Sequence, residues 1–318
     1  MSRMITVTLN PAVDKTVWVD QLHIGGLNRV RGAREDAGGK GINVSRAVCA
    51  FGGQTLAMGF LGGRQGAFIR ETLDQSGIES CFTMIGGETR TNVKAVGDDG
   101  SVTEINEAGP AVTDAELARF YQDLETQVRE NDLVVLSGSA PKGVPKTIYA
   151  ELIRLAHRHG ARALLDADGA LFQEGLSAKP DIIKPNMNEL TAYCEEQHIV
   201  MEGGEEKERA LSAARVLAKR GIAEILVSMG EQGAVLMTER EVWYAPAVPV
   251  AVCSTVGAGD TMAAAYALLS MRGCPIKERL LFATAAAAGA VTMQGTRPPD
   301  LELVIELKER VCMTTLIT

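Results

Sequence analysis

The chain has 318 residues, 46% of them hydrophobic and 23% charged, with 4% aromatic and a formal net charge of −8. That balance excludes a global basic field for nucleic acid or an acidic membrane, and a broad stacking platform for single-stranded bases. An anionic ligand would have to be met by local basic residues.

The N-terminal "MITVTL" is strand-like at once and is preceded by no signal-peptide apolar core. "GINVSRAVCAFGG" has helical spacing and a glycine stop, "QTLAMGFLG" reads as a strand, and "GAFIRETLDQSG" as a helix. From Asp114 onward the alternation is cleaner. Helix "DAELARFYQDLETQVREN" precedes strand "DLVVLSG", helix "PKTIYAELIRLAHRHG" and strand "ARALLDAD". Strand "DIIKPN", helices "NELTAYCEE" and "KERALSAARVLAKRG", and strands in "EILVSMG" and "GAVLMTEREVWYA" follow. The longest apolar run, Leu280 to Met293, is too short and alanine-rich to span a bilayer and reads as a packed core helix. This order predicts a doubly wound α/β domain with a mostly parallel sheet, and ligands beyond the strand C-termini. Residues 12–34 and 87–107 break the pattern with polar-alternating strands that lack crossover helices. A small attached sheet is expected there, either a flap over a site or a plain β-extension.

The six cysteines (Cys49, Cys81, Cys194, Cys253, Cys274, Cys312) form no C-x-x-C pair, so reduced, mostly buried thiols and a cytoplasmic setting are expected. The four histidines give no triad or metal spacing.

"STVGAGDTM" places Gly257, Ala258 and Gly259 before Asp260 at the start of an apolar helix. Asp at a helix start caps free N–H groups, but small residues there also open those groups to an anion. "AGGKGIN" leads into another helix with Gly38, Gly39, Lys40 and Asn43. In "IKPNMNEL", Asn186 and Glu189 share one side of a helix turn, which suits either a cap or Mg²⁺ held largely through water. "VSMGEQGA" joins two strands through Gly230 and Gly233, as an ordinary turn or as a loop running past a nucleotide. Arg90, Asn92 and Lys94 alternate, hence share a strand face, and with Lys40 and Arg29 could supply local positive charge. The P-loop, the dinucleotide fingerprint and the protein-kinase motifs are missing.

Together these segments resemble the PfkB-type carbohydrate kinases of the ribokinase-like fold over nearly the whole chain. "AGGKGINVSRA…FGG…FLGG" is similar to the family's N-terminal signature and "STVGAGDTMAAA" to its C-terminal one. "TLNPAVD", "GINVSRA", "TRTNVK", "LSGSAP" and "IKPNMNEL" are most similar to the 1-phosphofructokinase branch, with tagatose-6-phosphate kinases and minor 6-phosphofructokinases close by. The resemblance implies an ATP- and Mg²⁺-dependent kinase of a ketohexose phosphate, first of all fructose 1-phosphate. It implies Asp260 as base and Gly257, Ala258 and Gly259 as an anion hole. Asp14, Gly39, Lys40 and Asn43 would hold the sugar, with Arg90 near its existing phosphate. Lys184, Asn186 and Glu189 would face the ATP phosphates and Mg²⁺, and Ser228 through Gly233, with Thr255, would line the nucleotide site. The small sheet would be a lid that makes a homodimer, with Arg29 reaching the neighbouring subunit's site. Asp260 needs no raised pKa in this reading, since geometry supplies most of the advantage. Ser254, Ala140 and "LDADG" depart from the family's commonest residues and bear on substrate choice rather than activity. A catalytically silent sugar-phosphate sensor is the alternative from another class.

Overall fold

The structure, a computed structural model, describes residues 2–316. Along the chain, β1 (Met4–Thr8), β2 (Ala12–Trp18) and β3 (Gly32–Gly38) precede α1 (Lys40–Ala50), β4 (Thr55–Leu61) and α2 (Gly63–Gln75). Strands β5 (Glu79–Met84), β6 (Arg90–Val96) and β7 (Val102–Asn106) lead to α3 (Asp114–Gln127), β8 (Leu133–Ser137) and α4 (Ile148–Arg158). Next come β9 (Arg162–Asp166), α5 (Gly169–Leu176), β10 (Ile182–Ile183), α6 (Met187–Glu196), α7 (Glu206–Lys219) and β11 (Glu224–Ser228). The chain closes with β12 (Ala234–Thr238), β13 (Val242–Ala245), α8 (Ala258–Met271), α9 (Ile276–Val291), α10 (Leu301–Lys308) and β14 (Thr314–Thr315).

Ten strands form the main sheet in the order β14-β13-β12-β11-β10-β9-β8-β1-β4-β5. From β11 to β5 every pairing is parallel, and only the β11–β12, β12–β13 and β13–β14 pairings are antiparallel. The strands are apolar on both faces because both faces are covered. Leu133 and Val135 point to a layer containing buried residues of α1, α8 and α9, while Val134 and Leu136 point to one containing residues of α3, α4 and α7. Alanines dominate where α8 and α9 pack (Ala263, Ala264, Ala267, Ala283, Ala286), and small side chains let the two axes approach closely. α9 is the core helix expected from the apolar run.

A second sheet stands apart, in the order β3-β2-β6-β7. Its strands come from the two polar-alternating segments, although β3 runs four residues beyond the expected boundary at 34 and takes in Gly38. There Gly38 pairs with Ala12, and a side chain at Gly38 would meet the Asp14 carboxylate at 2.6 Å. The main and small sheets are held at their base by a cluster of Val13, Ala37, Ile42, Leu61 and Ile69. The cysteines differ from expectation: all six are free, but only Cys194 is buried, and Cys253 and Cys312 are exposed. Alternation does not report which face of a short segment meets solvent near a chain end or loop. No helix among the described residues is long and apolar enough to cross a membrane.

Candidate active site

The C-terminal ends of the parallel strands open on one edge of the main sheet, and the small sheet shares with them a cavity of about 1120 Å³. The lining from the small sheet comes from one pleat face. Asp14 on β2 lies opposite Asn92 on β6, Asn92 opposite Asn106 on β7, and Lys94 opposite Glu104. Asn92 Nδ2 donates to Asp14 Oδ1 at 3.0 Å, and Lys94 Nζ lies 3.5 Å from Asp14 Oδ2. Asn92 Oδ1 is buried without a partner, leaving an acceptor free in the cavity wall.

Helix α1 adds the next wall. Gly39 precedes it at φ +118°, a conformation that L side chains rarely adopt, and a Cβ there would strike Thr8 Cγ2 at 2.7 Å. This turn sets Lys40 and Asn43 on the cavity side of the first helical turn. Asn43 Nδ2 donates to Asp260 Oδ2 at 2.8 Å, and its own Oδ1 has no partner.

Asp260 is the third residue of α8, only 8% exposed. The helix N-cap is Gly257 at φ +83°, packed on Thr296, so a Cβ would come within 3.2 Å of Thr296 Cα. A helix N-terminus leaves its first N–H groups without intrahelical acceptors, and no side chain caps this one. The result is a carboxylate beside an anion-attracting helix end. Burial, reinforced by the nearby Asp166 carboxylate, pushes the Asp260 pKa up to about 6, against the bond from Asn43 and the charges of Lys40 and Lys184. The reading from sequence did not require this shift. Geometry and pKa both favour proton acceptance.

Asp166 ends β9 and is 1% exposed. Its Oδ1 lies 3.3 Å from Lys184 Nζ and 3.7 Å from Lys40 Nζ, and neither carboxylate oxygen accepts a hydrogen bond of good geometry. Lys40 also approaches Glu189 Oε1 at 3.4 Å. These carboxylates hold the Lys40 ammonium well above its ordinary pKa, Asp166 most strongly. Sequence reading passed over Asp166 as part of a variant "LDADG"; a carboxylate closing the apolar strand "ALLD" was the available signal.

Asn186 caps α6. Its Oδ1 accepts from the Glu189 N–H at 2.9 Å, while the Asn186 N–H donates to Glu189 Oε2 at 2.9 Å. Both residues line the cavity, so capping and site placement coexist. The Gly230–Gln232 turn between the antiparallel β11 and β12 is likewise both a hairpin connection and a cavity wall. At the far end lies a slot that sequence reading missed. It is lined by Val248, Pro249, Val250, Val252 and Met262, and by Thr284, Ala287, Ala288 and Val291 of α9. Apolar residues at helical spacing read as core from sequence alone, which is why it was overlooked.

All the expected site residues line this one cavity except two. Gly38 is buried in β3, where it makes room for Asp14, and Arg29 lies exposed on the β2–β3 connection. Arg90 borders the cavity, but its guanidinium donates to the carbonyls of Glu107 at 2.8 Å and Asn10 at 3.1 Å. It ties the small sheet to the end of β1.

A doubly wound, mostly parallel sheet with a second, smaller sheet beside the cleft is the ribokinase-like fold. Residues 7–302 match the pfkB family carbohydrate kinases, and the chain belongs to that family. A 1-phosphofructokinase from Rhodobacter capsulatus is 38% identical over 99% of this chain and 98% of its own. A tagatose-6-phosphate kinase from Staphylococcus epidermidis is 36% identical over 83% of this chain and 84% of its own. Phosphofructokinase-2 from Escherichia coli, solved in complex with substrates and products, superposes with a TM-score of 0.90 at 26% identity. The match covers 96% of this chain and 98% of that one.

Proposed function

We propose that the chain transfers the γ-phosphoryl group of ATP to the C6 hydroxyl of fructose 1-phosphate, giving fructose 1,6-bisphosphate. The observation that carries this reading is the Asn43–Asp260 pair. It sets a buried carboxylate beside the α8 N-terminus, on a wall shared with the polar face of the small sheet. The acceptor is read from the relatives named 1-phosphofructokinase, of which the R. capsulatus enzyme is one.

In this mechanism Asp14, Asn92 and Asn43 take the sugar hydroxyls; the free Oδ1 atoms of both asparagines are acceptors for them. Asp260 orients the attacking hydroxyl and accepts its proton as the bond to phosphorus forms. The N–H groups at Gly257–Gly259 meet the charge on the moving phosphoryl group, and Lys184 and Lys40 stand ready for the donor phosphates. Closure of the small sheet over the cleft would exclude water, the competing acceptor.

Four basic and six acidic side chains line the cavity, so the protein alone does not neutralise two phosphorylated ligands. That imbalance fits Mg²⁺. Asn186 Oδ1 is committed to its cap, whereas Glu189 Oε1 faces Lys40 in the cavity, and no cluster of three His, Cys, Asp or Glu forms a cage among the described residues. Glu189 would therefore hold the ion through water, and the ion would supply charge neutralisation between the phosphates.

The small sheet also supports the homodimer reading. Its edge strand β7 is exposed along its length, Val102 and Ile105 included, and Ile24 and Leu27 are exposed on the β2–β3 connection beside Arg29. Six free cysteines accord with a reducing, cytoplasmic setting.

The test is a coupled ADP-release assay with MgATP against fructose 1-phosphate, fructose 6-phosphate, tagatose 6-phosphate and fructose. The expected result is the highest kcat/KM for fructose 1-phosphate. A lead for tagatose 6-phosphate would favour the branch represented by the S. epidermidis relative. Ligand binding with no turnover of any sugar would favour a sensor.

A further inference from the structure

The N-terminus of α8 has no side-chain cap, so the placement of its Gly257–Gly259 turn depends on what packs against it. Two contacts come from the chain that ends and leaves α9. The carbonyl of Val291, the last residue of α9, accepts from the Cys253 N–H at 2.7 Å and from the Ser254 N–H at 3.1 Å. Further along, Thr296 lies against Gly257, where a Cβ on the glycine would come within 3.2 Å of Thr296 Cα. The segment 291–296 therefore backs the turn.

Gly295, next to Thr296, is met by the small sheet. Its φ is +65°, and a Cβ there would lie 2.9 Å from Arg34 Nη2, so the guanidinium occupies the space that a side chain at 295 would need. Arg34 belongs to β3, an edge strand of the small sheet. Its Nε donates to Asp36 Oδ2 at 2.6 Å, and the two side chains are only 20% and 16% exposed. Arg46 of α1 donates to the Ala37 carbonyl at 3.2 Å, which fixes the end of β3 beside Asp36. Asp36 pairs directly with Asp14 of β2, and residues two apart on a strand share a face. Arg34 and Asp36 thus project from the same pleat face as Asp14, which lines the cavity.

One side chain thereby joins the sheet that carries Asp14 to the backing of the α8 turn. The route is short: Arg34 packs on Gly295, a peptide bond leads to Thr296, and Thr296 packs on Gly257. Donors that stabilise developing charge act through being in place beforehand, and a misplacement of about 1 Å costs on the order of 100-fold. Resting on the anion-hole assignment above, we propose that Arg34 is a positioning residue for phosphoryl transfer, fixing the Gly257–Gly259 turn relative to the small sheet through Gly295 and Thr296. Arg34 does not itself line the cavity, so its loss spares the ligand contacts and is felt in the transition state.

The experiment compares the wild type, Arg34→Ala, Arg34→Lys and Lys15→Ala by calorimetry and steady-state kinetics. Lys15 pairs with Glu35 at 3.0 Å on the opposite face of the same two strands, so its removal is the control for loss of a small-sheet ion pair. Fructose 1-phosphate and MgADP are titrated separately. MgADP is then titrated with fluoroaluminate and fructose 1-phosphate present, a combination that mimics the phosphoryl group in transfer. Arg34→Ala should bind the separate ligands within about threefold of wild type and the fluoroaluminate complex about 10- to 50-fold more weakly. Its kcat should fall by a similar factor with KM values little changed. Lys15→Ala should match wild type throughout. Arg34→Lys keeps a charge beside Asp36 but lacks the nitrogen that reaches Gly295, so it should resemble alanine.

Full recovery by lysine, unchanged fluoroaluminate affinity in Arg34→Ala, or an equal loss in Lys15→Ala overturns the proposal and leaves the kinase reading intact. So does a uniform weakening of all three ligands in Arg34→Ala. A wild type that turns over a 6-phosphate in place of fructose 1-phosphate defeats only the acceptor assignment, and the same titrations with that sugar decide on Arg34. A wild type that releases no ADP with any sugar phosphate and gains no affinity from fluoroaluminate defeats the kinase reading and this proposal with it.

Discussion

Asn43 on α1 and Asp260 on α8 stand 217 residues apart in the chain, yet the Asn43 amide donates to Asp260 Oδ2 at 2.8 Å inside the cleft. The bond holds one carboxylate oxygen and leaves the other to meet a substrate hydroxyl. It also favours the ionised form, opposing the upward push of burial and of Asp166. Removing the donor should therefore do two things. Asn43→Ala should lower kcat by about 10- to 100-fold through lost positioning, and should move the acid limb of the pH–rate profile above its wild-type place. A variant that loses rate with an unmoved limb would show that the bond sets geometry alone.

Asp260 itself provides a sharper test. Asp260→Asn should lose at least about 1000-fold in kcat while ATP affinity stays within about threefold. In the wild type, kcat/KM should fall as pH drops through about 6, where Asp260 takes up its proton. The stability effect has the opposite sign. A carboxyl whose folded pKa is raised binds protons more tightly folded than unfolded, so folding weakens as pH rises from about 4 through about 6. Neutral asparagine escapes that penalty. Thermal unfolding of Asp260→Asn at pH 8 should occur roughly 2 °C or more above wild type. A lower midpoint would show that the Asn43 contact outweighs the buried charge.

The order of strands and helices was largely legible because hydrophobic period and turn residues are local signals. The two signature loops were legible because small residues before a helix start announce an unusual backbone. Long-range relations were not. Nothing local in "LDADG" reveals that Asp166 meets Lys184 and Lys40, which follow β10 and open α1 in the folded chain. Arg90 stands out in the sequence by its charge, and only the fold shows its guanidinium bound to two backbone carbonyls. The slot on α9 was invisible because a cavity-lining face made largely of alanine and valine has the composition of a core.

Asp166 is a positioning residue on this geometry. It is buried, it approaches two ammonium groups through one oxygen, and its charge helps keep Asp260 protonated to higher pH. Asp166→Asn should leave two lysines facing each other with less restraint and should lower kcat/KM for MgATP by about 10-fold or more. The acid limb assigned to Asp260 should move below its wild-type position, opposite to the shift expected for Asn43→Ala. Parallel shifts in the two variants would show that the limb belongs to another group.

Gly259 separates the requirements of folding from those of chemistry. A methyl group there would sit 3.5 Å from Lys184 Nζ, an ordinary van der Waals distance, and the residue does not need a positive φ. Gly259→Ala should therefore fold with a stability within about 1 kcal/mol of wild type, aided by alanine's higher helix propensity. In the mechanism proposed above, the same methyl group would project between the α8 N-terminus and Lys184, in the path of the transferred phosphoryl group. Activity should fall about 100-fold or more, with sugar affinity largely retained. Gly257→Ala is the contrasting case. Its φ of +83° and its 3.2 Å approach to Thr296 make the backbone itself unfavourable for alanine, so unfolding should occur earlier as well. Comparable loss of stability in both variants would remove Gly259 from the proposed anion hole and leave it a packing residue.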